Sequence, residues 1–145
     1  AFNKAMLLSN KKAMSLSDQF CVERHKDSFL DLVRNKLDIT FANEQEIKSL
    51  INATNFEEVI TFGKQLEKLL IITRGKEGSI AIKNNEVTEC KSKKDLQILD
   101  LTGAGDLFAA GFLHGFINDF SAKECLEKGT EMSSKIIQKI GARLD

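Results

Sequence analysis

Residues 100–108 read Asp-Leu-Thr-Gly-Ala-Gly-Asp-Leu-Phe and join a predicted strand, Leu96–Leu99, to a predicted buried helix, Gly105–Ile117. The small residues in this stretch let backbone N–H groups approach a ligand without obstruction by side chains. The first N–H groups of a helix have no partner within it, and the helix dipole is positive there. This turn therefore predicts a binding site for an anion such as phosphate.

Asp106 follows the small residues in the same predicted turn. A carboxylate at the start of a helix is stabilised by the helix dipole, which explains the residue without any function. A carboxylate beside a bound phosphate can also act as a base. The residues of this stretch alone leave both interpretations open.

Three common glycine-rich motifs do not fit the stretch. A dinucleotide-binding fingerprint needs Gly or Ala where Phe108 stands, and a nucleophile elbow needs Ser or Cys where Ala104 stands. A Walker A loop needs Gly-Lys followed by Ser or Thr after a four-residue gap, and the chain has no such run. The stretch therefore still predicts phosphate binding, but not through a P-loop or a Rossmann dinucleotide-binding motif.

Strands and helices alternate along the chain, which predicts an α/β fold with a mostly parallel sheet. The apolar run Leu69–Ile72 is typical of a central strand buried on both faces. Asn84-Asn85 between two extended segments predicts a β-hairpin. The other predicted strands are Lys12–Ser17, Leu37–Ala42, Ser79–Lys83 and Glu86–Cys90, and the other predicted helices are Ala1–Ser9, Val22–Lys36, Glu44–Asn52, Phe56–Leu66, Ala122–Lys128 and Glu131–Ile140.

Composition excludes several classes of protein. The 145 residues include 21 basic and 21 acidic side chains, and 42% are apolar, which is typical of a folded globular domain. With a net charge of zero, the chain lacks the excess of basic residues that is typical of proteins that bind nucleic acids or anionic membranes. No apolar stretch approaches the roughly 20 residues of a membrane helix. We interpret Cys21, Cys90 and Cys125 as small core residues of a cytoplasmic protein.

Asn43 and Glu46 follow the predicted strand Leu37–Ala42. An Asn with a Glu three residues later is typical of a helix capping box. The pairs Thr54/Glu57 and Ser121/Glu124 have the same spacing at other predicted helix starts. Capping therefore explains this motif on local grounds.

Thr73-Arg-Gly75-Lys-Glu-Gly78 stands at the carboxyl end of the buried strand. Ligands bind at that edge in open α/β sheets. The glycines can equally be turn residues that lead into the next strand.

In their order along the chain, Asn-x-x-Glu, Thr-x-Gly-x-x-Gly and Asp-x-Thr-Gly-Ala-Gly-Asp resemble the second half of the PfkB carbohydrate kinase family, the ribokinase and adenosine kinase group. Asp100–Leu113 matches the second signature of that family, which is specific, and the likeness covers residues 1–145. The resemblance implies the carboxyl-terminal part of a ribokinase-like three-layer α/β sandwich, with a mostly parallel sheet and no internal domain boundary.

The resemblance also implies roles for particular residues. Asp106 corresponds to the catalytic base, and Gly103, Ala104 and Gly105 correspond to the anion hole. Asn43 and Glu46 match the motif tied to Mg²⁺ and phosphate, and Thr73, Gly75 and Gly78 match the nucleotide-binding turn. Asp100 matches a position that holds a monovalent cation such as K⁺ in some members. Thr130 corresponds more loosely to the late helix near the adenine.

Two departures from the family pattern qualify these roles. Leu101 replaces the usual Thr or Ser, which leaves the anion hole intact but removes a nearby hydroxyl. The amino-terminal half of the family is absent, so we expect Ala1 to be an internal residue and the chain to be part of a larger kinase.

The expected activity is ATP-dependent phosphoryl transfer to a hydroxyl of a sugar or nucleoside, in the cytoplasm. The alternative is a non-catalytic domain of the same fold that binds a nucleotide or a partner protein. The sequence leaves the acceptor and the oligomeric state open, and a homodimer is one of the expectations.

Overall fold

The computed structural model describes residues 11–16, 19–92 and 102–143. The strands in this part are β1 (Ala13–Ser15), β2 (Ile39–Asn43), β3 (Leu69–Thr73), β4 (Ser79–Lys83) and β5 (Glu86–Cys90). The helices are α1 (Gln19–Arg24), α2 (Lys26–Asp31), α3 (Glu44–Ile51), α4 (Phe56–Leu66), α5 (Thr102–Ile117) and α6 (Ala122–Arg143), with a π-helical turn at Leu32–Lys36 and a 3-10 turn at Gly75–Glu77. The predicted helix Ala1–Ser9, the predicted strand Leu96–Leu99 and Asp100 lie outside the described residues.

The five strands form one sheet in the order β1-β2-β3-β4-β5. β1 and β2 are parallel, with Ala13 opposite Ile39 and Ser15 opposite Phe41. β3 lies in the middle of the sheet, and its residues are buried except for Thr73 at the carboxyl end. The prediction of a central, buried strand at this position is confirmed.

The chain divides into two compact units. Unit 1 comprises the described residues of Ala1–Ile72 and Ile82–Glu86, and unit 2 comprises those of Thr73–Ala81 and Val87–Asp145. The prediction of a domain without an internal boundary is untested and stays a prediction. The core of unit 1 collects apolar side chains from its helices and strands, including Val22, Val33, Leu37, Ile47, Leu50, Val59 and Leu70.

In unit 2, helices α5 and α6 pack closely because glycines lie where their backbones meet. A Cβ atom built on Gly111 would lie 2.7 Å from the carbonyl oxygen of Lys128. One built on Gly129 would lie 2.8 Å from the carbonyl oxygen of Phe108. Real Cβ atoms do not come this close to a backbone, so the absence of side chains sets the distance between the helices.

Only one face of α5 is buried. Phe108 and Gly111 lie against α6 and Phe112 is buried, while His114 and Ile117 are exposed, Ile117 by 77%. The prediction that this helix is buried all round is therefore wrong. The physical reason is that the buried stripe follows the three- and four-residue spacing of a helix packed on a single side.

Two predicted helix boundaries also differ from the structure. Ala122–Arg143 is one helix rather than two, because Gly129 packs against Phe108 instead of ending the helix. The predicted helix Val22–Lys36 is divided, because His25 leaves the helical conformation with φ −131°. Across the described ranges, no helix has the length and apolar character needed to cross a membrane.

Candidate active site

Helix α5 begins at Thr102, three residues before the predicted start. In any helix the first four N–H groups lack a carbonyl partner within the helix. In the described part of the helix these amides include those of Thr102, Gly103 and Ala104, while the amide of Gly105 stands where the first bond within the helix is made. Two residues of the predicted anion hole therefore lie where a helix offers unpaired donors. Asp106 is in the second turn, beyond the reach of most of the dipole effect.

Two residues near the start of α5 are exposed in the structure. Gly105 and Asp106 are exposed, and a Cβ atom built on Gly105 meets no atom within 4 Å. Packing within the described residues therefore does not explain the glycine at this position. The carboxylate of Asp106 is accessible to solvent.

The turn after β3 has a backbone that requires glycine at two positions. Gly75 has φ +58° and Gly78 has φ +100°, a region that residues with a side chain rarely adopt. The amide of Arg74 donates to the carbonyl oxygen of Gly78 at 2.7 Å, which closes the turn. Gly75 has open space around it, whereas Gly78 packs against the backbone of Cys90 and Lys91.

Thr130 lies on α6, and its hydroxyl donates to the carbonyl oxygen of Leu126 at 2.8 Å. Its Oγ1 is also 3.8 Å from the Sγ atom of the buried Cys90. Cys90 thus contacts both Gly78 and Thr130, two residues that the sequence assigned to nucleotide binding. The sequence analysis interpreted Cys90 only as a core residue, and no motif marks this second contact.

Asn43 and Glu46 form a complete capping box at the start of α3. The amide of Glu46 donates to Asn43 Oδ1 at 2.7 Å, and the amide of Asn43 donates to Glu46 Oε1 at 2.9 Å. Glu46 is only 5% exposed. These bonds explain the motif structurally, and they leave its role in binding Mg²⁺ and phosphate untested.

The other two pairs with this spacing differ from each other. Ser121 and Glu124 form reciprocal bonds of 3.2 Å at the start of α6, as predicted. The pair Thr54/Glu57 does not, because the N-cap of α4 is Asn55, whose Oδ1 accepts from the amide of Glu58 at 3.0 Å. That prediction was wrong by one residue.

The described residues offer few side-chain donors for a metal ion. In the described part of the chain, no three His, Cys, Asp or Glu side chains are grouped closely enough to hold a metal ion. The Asn43/Glu46 motif contributes one carboxylate and one amide oxygen. Mg²⁺ keeps several waters and binds through one or two carboxylates and substrate phosphates, so these residues fit an ion held largely by water and nucleotide.

The predicted site residues are divided between the two units. Asn43 and Glu46 belong to unit 1, whereas the turn after β3, the start of α5 and Thr130 belong to unit 2. The three cysteines are free; Cys90 and Cys125 are buried, but Cys21 is exposed, so its placement in the core was wrong. Burial, and secondarily the Glu124 carboxylate, raises the pKa of the Cys125 thiol, so this thiol stays protonated at neutral pH.

This architecture is a ribokinase-like α/β fold, as the sequence predicted. The structure resembles that of adenosine kinase from Sinorhizobium meliloti with a TM-score of 0.89 and 35% sequence identity, covering 96% of this chain and 44% of that one. The sequence matches the model of the pfkB family carbohydrate kinases over residues 5–145. The chain belongs to this family.

Two relatives show how much of a family member the chain represents. It is 31% identical over 132 residues to an adenosine kinase from Dictyostelium discoideum, covering 80% of this chain and 39% of the relative. It is 30% identical over 122 residues to a cytidine kinase from Thermococcus kodakarensis, covering 81% of this chain and 43% of the relative. The chain therefore spans less than half of the length of these relatives.

Proposed function

We propose that the protein containing this chain transfers the γ-phosphoryl group of ATP to a hydroxyl of a sugar or nucleoside. The observation that carries the proposal is the start of α5, where the first turn of a helix precedes the exposed Gly105 and Asp106. Membership of a carbohydrate kinase family supports this reaction class. Relatives named as adenosine and cytidine kinases favour a nucleoside as the acceptor, and the carbohydrate kinase family supports a sugar as the other candidate.

Each part of this site has a task in phosphoryl transfer, which depends mainly on positioning and on stabilising negative charge. The amides of Gly103 and Ala104 donate hydrogen bonds to phosphate oxygens as negative charge develops on them, and Gly105 leaves their approach free of a side chain. Asp106 orients the acceptor hydroxyl and accepts its proton. Mg²⁺ bound with ATP supplies further neutralisation of the phosphate charge.

The remaining residues hold the nucleotide and the ions. The turn that contains Thr73, Gly75 and Gly78 binds ATP, and Thr130 lies beside its base. Asn43 and Glu46 orient water bound to Mg²⁺. Asp100 helps to hold a monovalent cation such as K⁺. These assignments follow the family pattern, and the geometry of the turn and of the capping box is compatible with them.

The variant Asp106→Asn tests the role of the base. It preserves the size of the side chain and removes its basicity, so kcat should fall by a factor on the order of 10²–10⁴. ATP affinity should change little, because the backbone amides remain. The melting temperature should also change little, since Asp106 is exposed and lies beyond the first turn of α5. Steady-state kinetics, calorimetry with ATP and Mg²⁺, and thermal unfolding measure the three quantities.

Asp119→Asn is the matched control. Asp119 is also exposed, lies just after the same helix, and has φ +61°, which Asn tolerates. A normal kcat in Asp106→Asn would contradict the catalytic assignment. ATP binding without turnover of any nucleoside or sugar by the unmodified protein would instead favour the non-catalytic nucleotide-binding alternative.

A further inference from the structure

The segment that follows β5 holds the turn after β3 at two separate points. The Ser92 hydroxyl donates to the carbonyl oxygen of Lys76 at 2.6 Å, across 16 residues of sequence. Cys90, two residues before Ser92, makes the second contact. Its carbonyl oxygen lies so close to Gly78 that any side chain at Gly78 would overlap it. The turn is therefore fixed from outside as well as by its own hydrogen bonds.

Several bonds also lie within this turn. The amide of Arg74 donates to the carbonyl oxygen of Gly78 at 2.7 Å, and the Arg74 guanidinium group lies 2.8 Å from a carboxylate oxygen of Glu77. The amide of Glu77 donates to Arg74 at 3.2 Å, and that of Gly78 donates to Gly75 at 3.1 Å. Gly75, Lys76 and Glu77 are exposed, and Gly75 has no neighbour within 4 Å of a Cβ position. None of these internal bonds involves Lys76, so the Ser92 hydroxyl supports the exposed part of the turn that they do not reach.

The same segment reaches helix α6 through Cys90. Its Sγ atom is 3.8 Å from Thr130 Oγ1, and the Lys123 ammonium group donates to the carbonyl oxygen of the preceding residue, Glu89, at 2.7 Å. The end of β5 therefore contacts both the turn and the helix that carries Thr130, and all of these residues belong to unit 2.

We propose that Ser92 is a positioning residue for nucleotide binding, because its hydroxyl holds the turn Arg74–Gly78 in the conformation that receives ATP. The inference rests on the proposed role of this turn in binding the nucleotide. A ligand that meets an ordered turn does not have to order it, so holding the turn beforehand raises affinity. Ser92 acts through the Lys76 carbonyl group and needs no contact with the nucleotide.

The test compares Ser92→Ala, which removes the hydroxyl, with Ser92→Thr, which retains one. Thr61→Val is the control, because Thr61 makes the same kind of bond, from its hydroxyl to the carbonyl oxygen of Glu57 at 3.1 Å, in unit 1. Loss of one such bond should weaken ATP–Mg²⁺ binding roughly 3- to 10-fold in Ser92→Ala. The affinity of Ser92→Thr for ATP–Mg²⁺ should stay within about twofold of that of the unmodified protein, which is a smaller change than loss of the bond causes.

Two measurements separate positioning from general stability. Calorimetry gives the ATP affinity, and amide hydrogen exchange at Glu77 and Gly78 reports on the order of the turn. We expect faster exchange at both amides in Ser92→Ala, with the melting temperature of Ser92→Ala close to that of Thr61→Val.

The outcomes also distinguish this proposal from the proposed function. If the unmodified protein binds ATP and Ser92→Ala binds it equally well, the positioning role is overturned and the kinase proposal stands. Equal weakening in Ser92→Ala and Thr61→Val would overturn the positioning role too. If the unmodified protein binds no ATP, the proposed function is overturned, and the role of Ser92 with it.

Discussion

The two ends of helix α5 use glycine for different purposes. At the amino-terminal end, a Cβ atom on Gly105 would meet none of the described residues within 4 Å. In the second half, a Cβ atom on Gly111 would lie 2.7 Å from the carbonyl oxygen of Lys128 on α6. Gly111 is therefore explained by packing, whereas Gly105 is not. The proposed phosphate site gives a reason for glycine at position 105 that packing among the described residues does not give.

The largest effect on stability is expected for Gly111→Ala. The added methyl group meets the backbone of α6, which cannot rotate away as a side chain does. Overpacking of this kind costs about 1–3 kcal/mol of unfolding free energy. Urea or thermal unfolding measures the loss. An unchanged unfolding free energy would mean that the two helices separate more easily than their packing implies.

Gly105→Ala is the matching substitution in the open half of the helix. Because the site has room and alanine favours helix, we expect the unfolding free energy to stay equal or to rise by up to ~1 kcal/mol. ATP affinity and kcat should nevertheless fall, because the methyl group obstructs the approach of a phosphate to the amides. A stable variant with normal ATP binding would show that no ligand requires Gly105.

The smallest effect on stability is expected for Glu46→Gln, and here the two capping boxes form the comparison. Gln serves the same position in a capping box, so Glu46→Gln and the control Glu124→Gln should both change the unfolding free energy by only a few tenths of a kcal/mol. If Glu46 orients water on Mg²⁺, only Glu46→Gln should require more Mg²⁺ for turnover. Identical Mg²⁺ titrations for the two variants would leave Glu46 as a capping residue alone.

Elements with strong local signals agreed with their sequence predictions. Helix α4 at Phe56–Leu66 and the strands of the Asn84-Asn85 hairpin have the predicted bounds, and Asn84 has φ +56° as a tight turn requires. Boundaries that contain glycine were predicted poorly. Gly129 continues α6, where it packs against Phe108, and Gly103 lies within the first turn of α5, although glycine has a low helix propensity.

In the candidate site, the sequence predicted only those residues that belong to a motif. The order of the three motifs in the sequence predicted the family, and the structure leaves their chemical roles as proposals. Cys90 and Ser92 carry no motif, and their partners Thr130 and Lys76 are 40 and 16 residues away in sequence. Such contacts depend on how β5 and α6 pack, which local patterns do not reveal.

The most direct test of the central claim measures the backbone amide chemical shifts of α5 while ATP and Mg²⁺ are added. The account predicts saturable shifts for Gly103 and Gly105, whose amides lie at the free end of the helix, and little change for Gly111, which packs against α6. Saturable binding that leaves the Gly103 and Gly105 amides unchanged would contradict the claim that this end of the helix holds the phosphate.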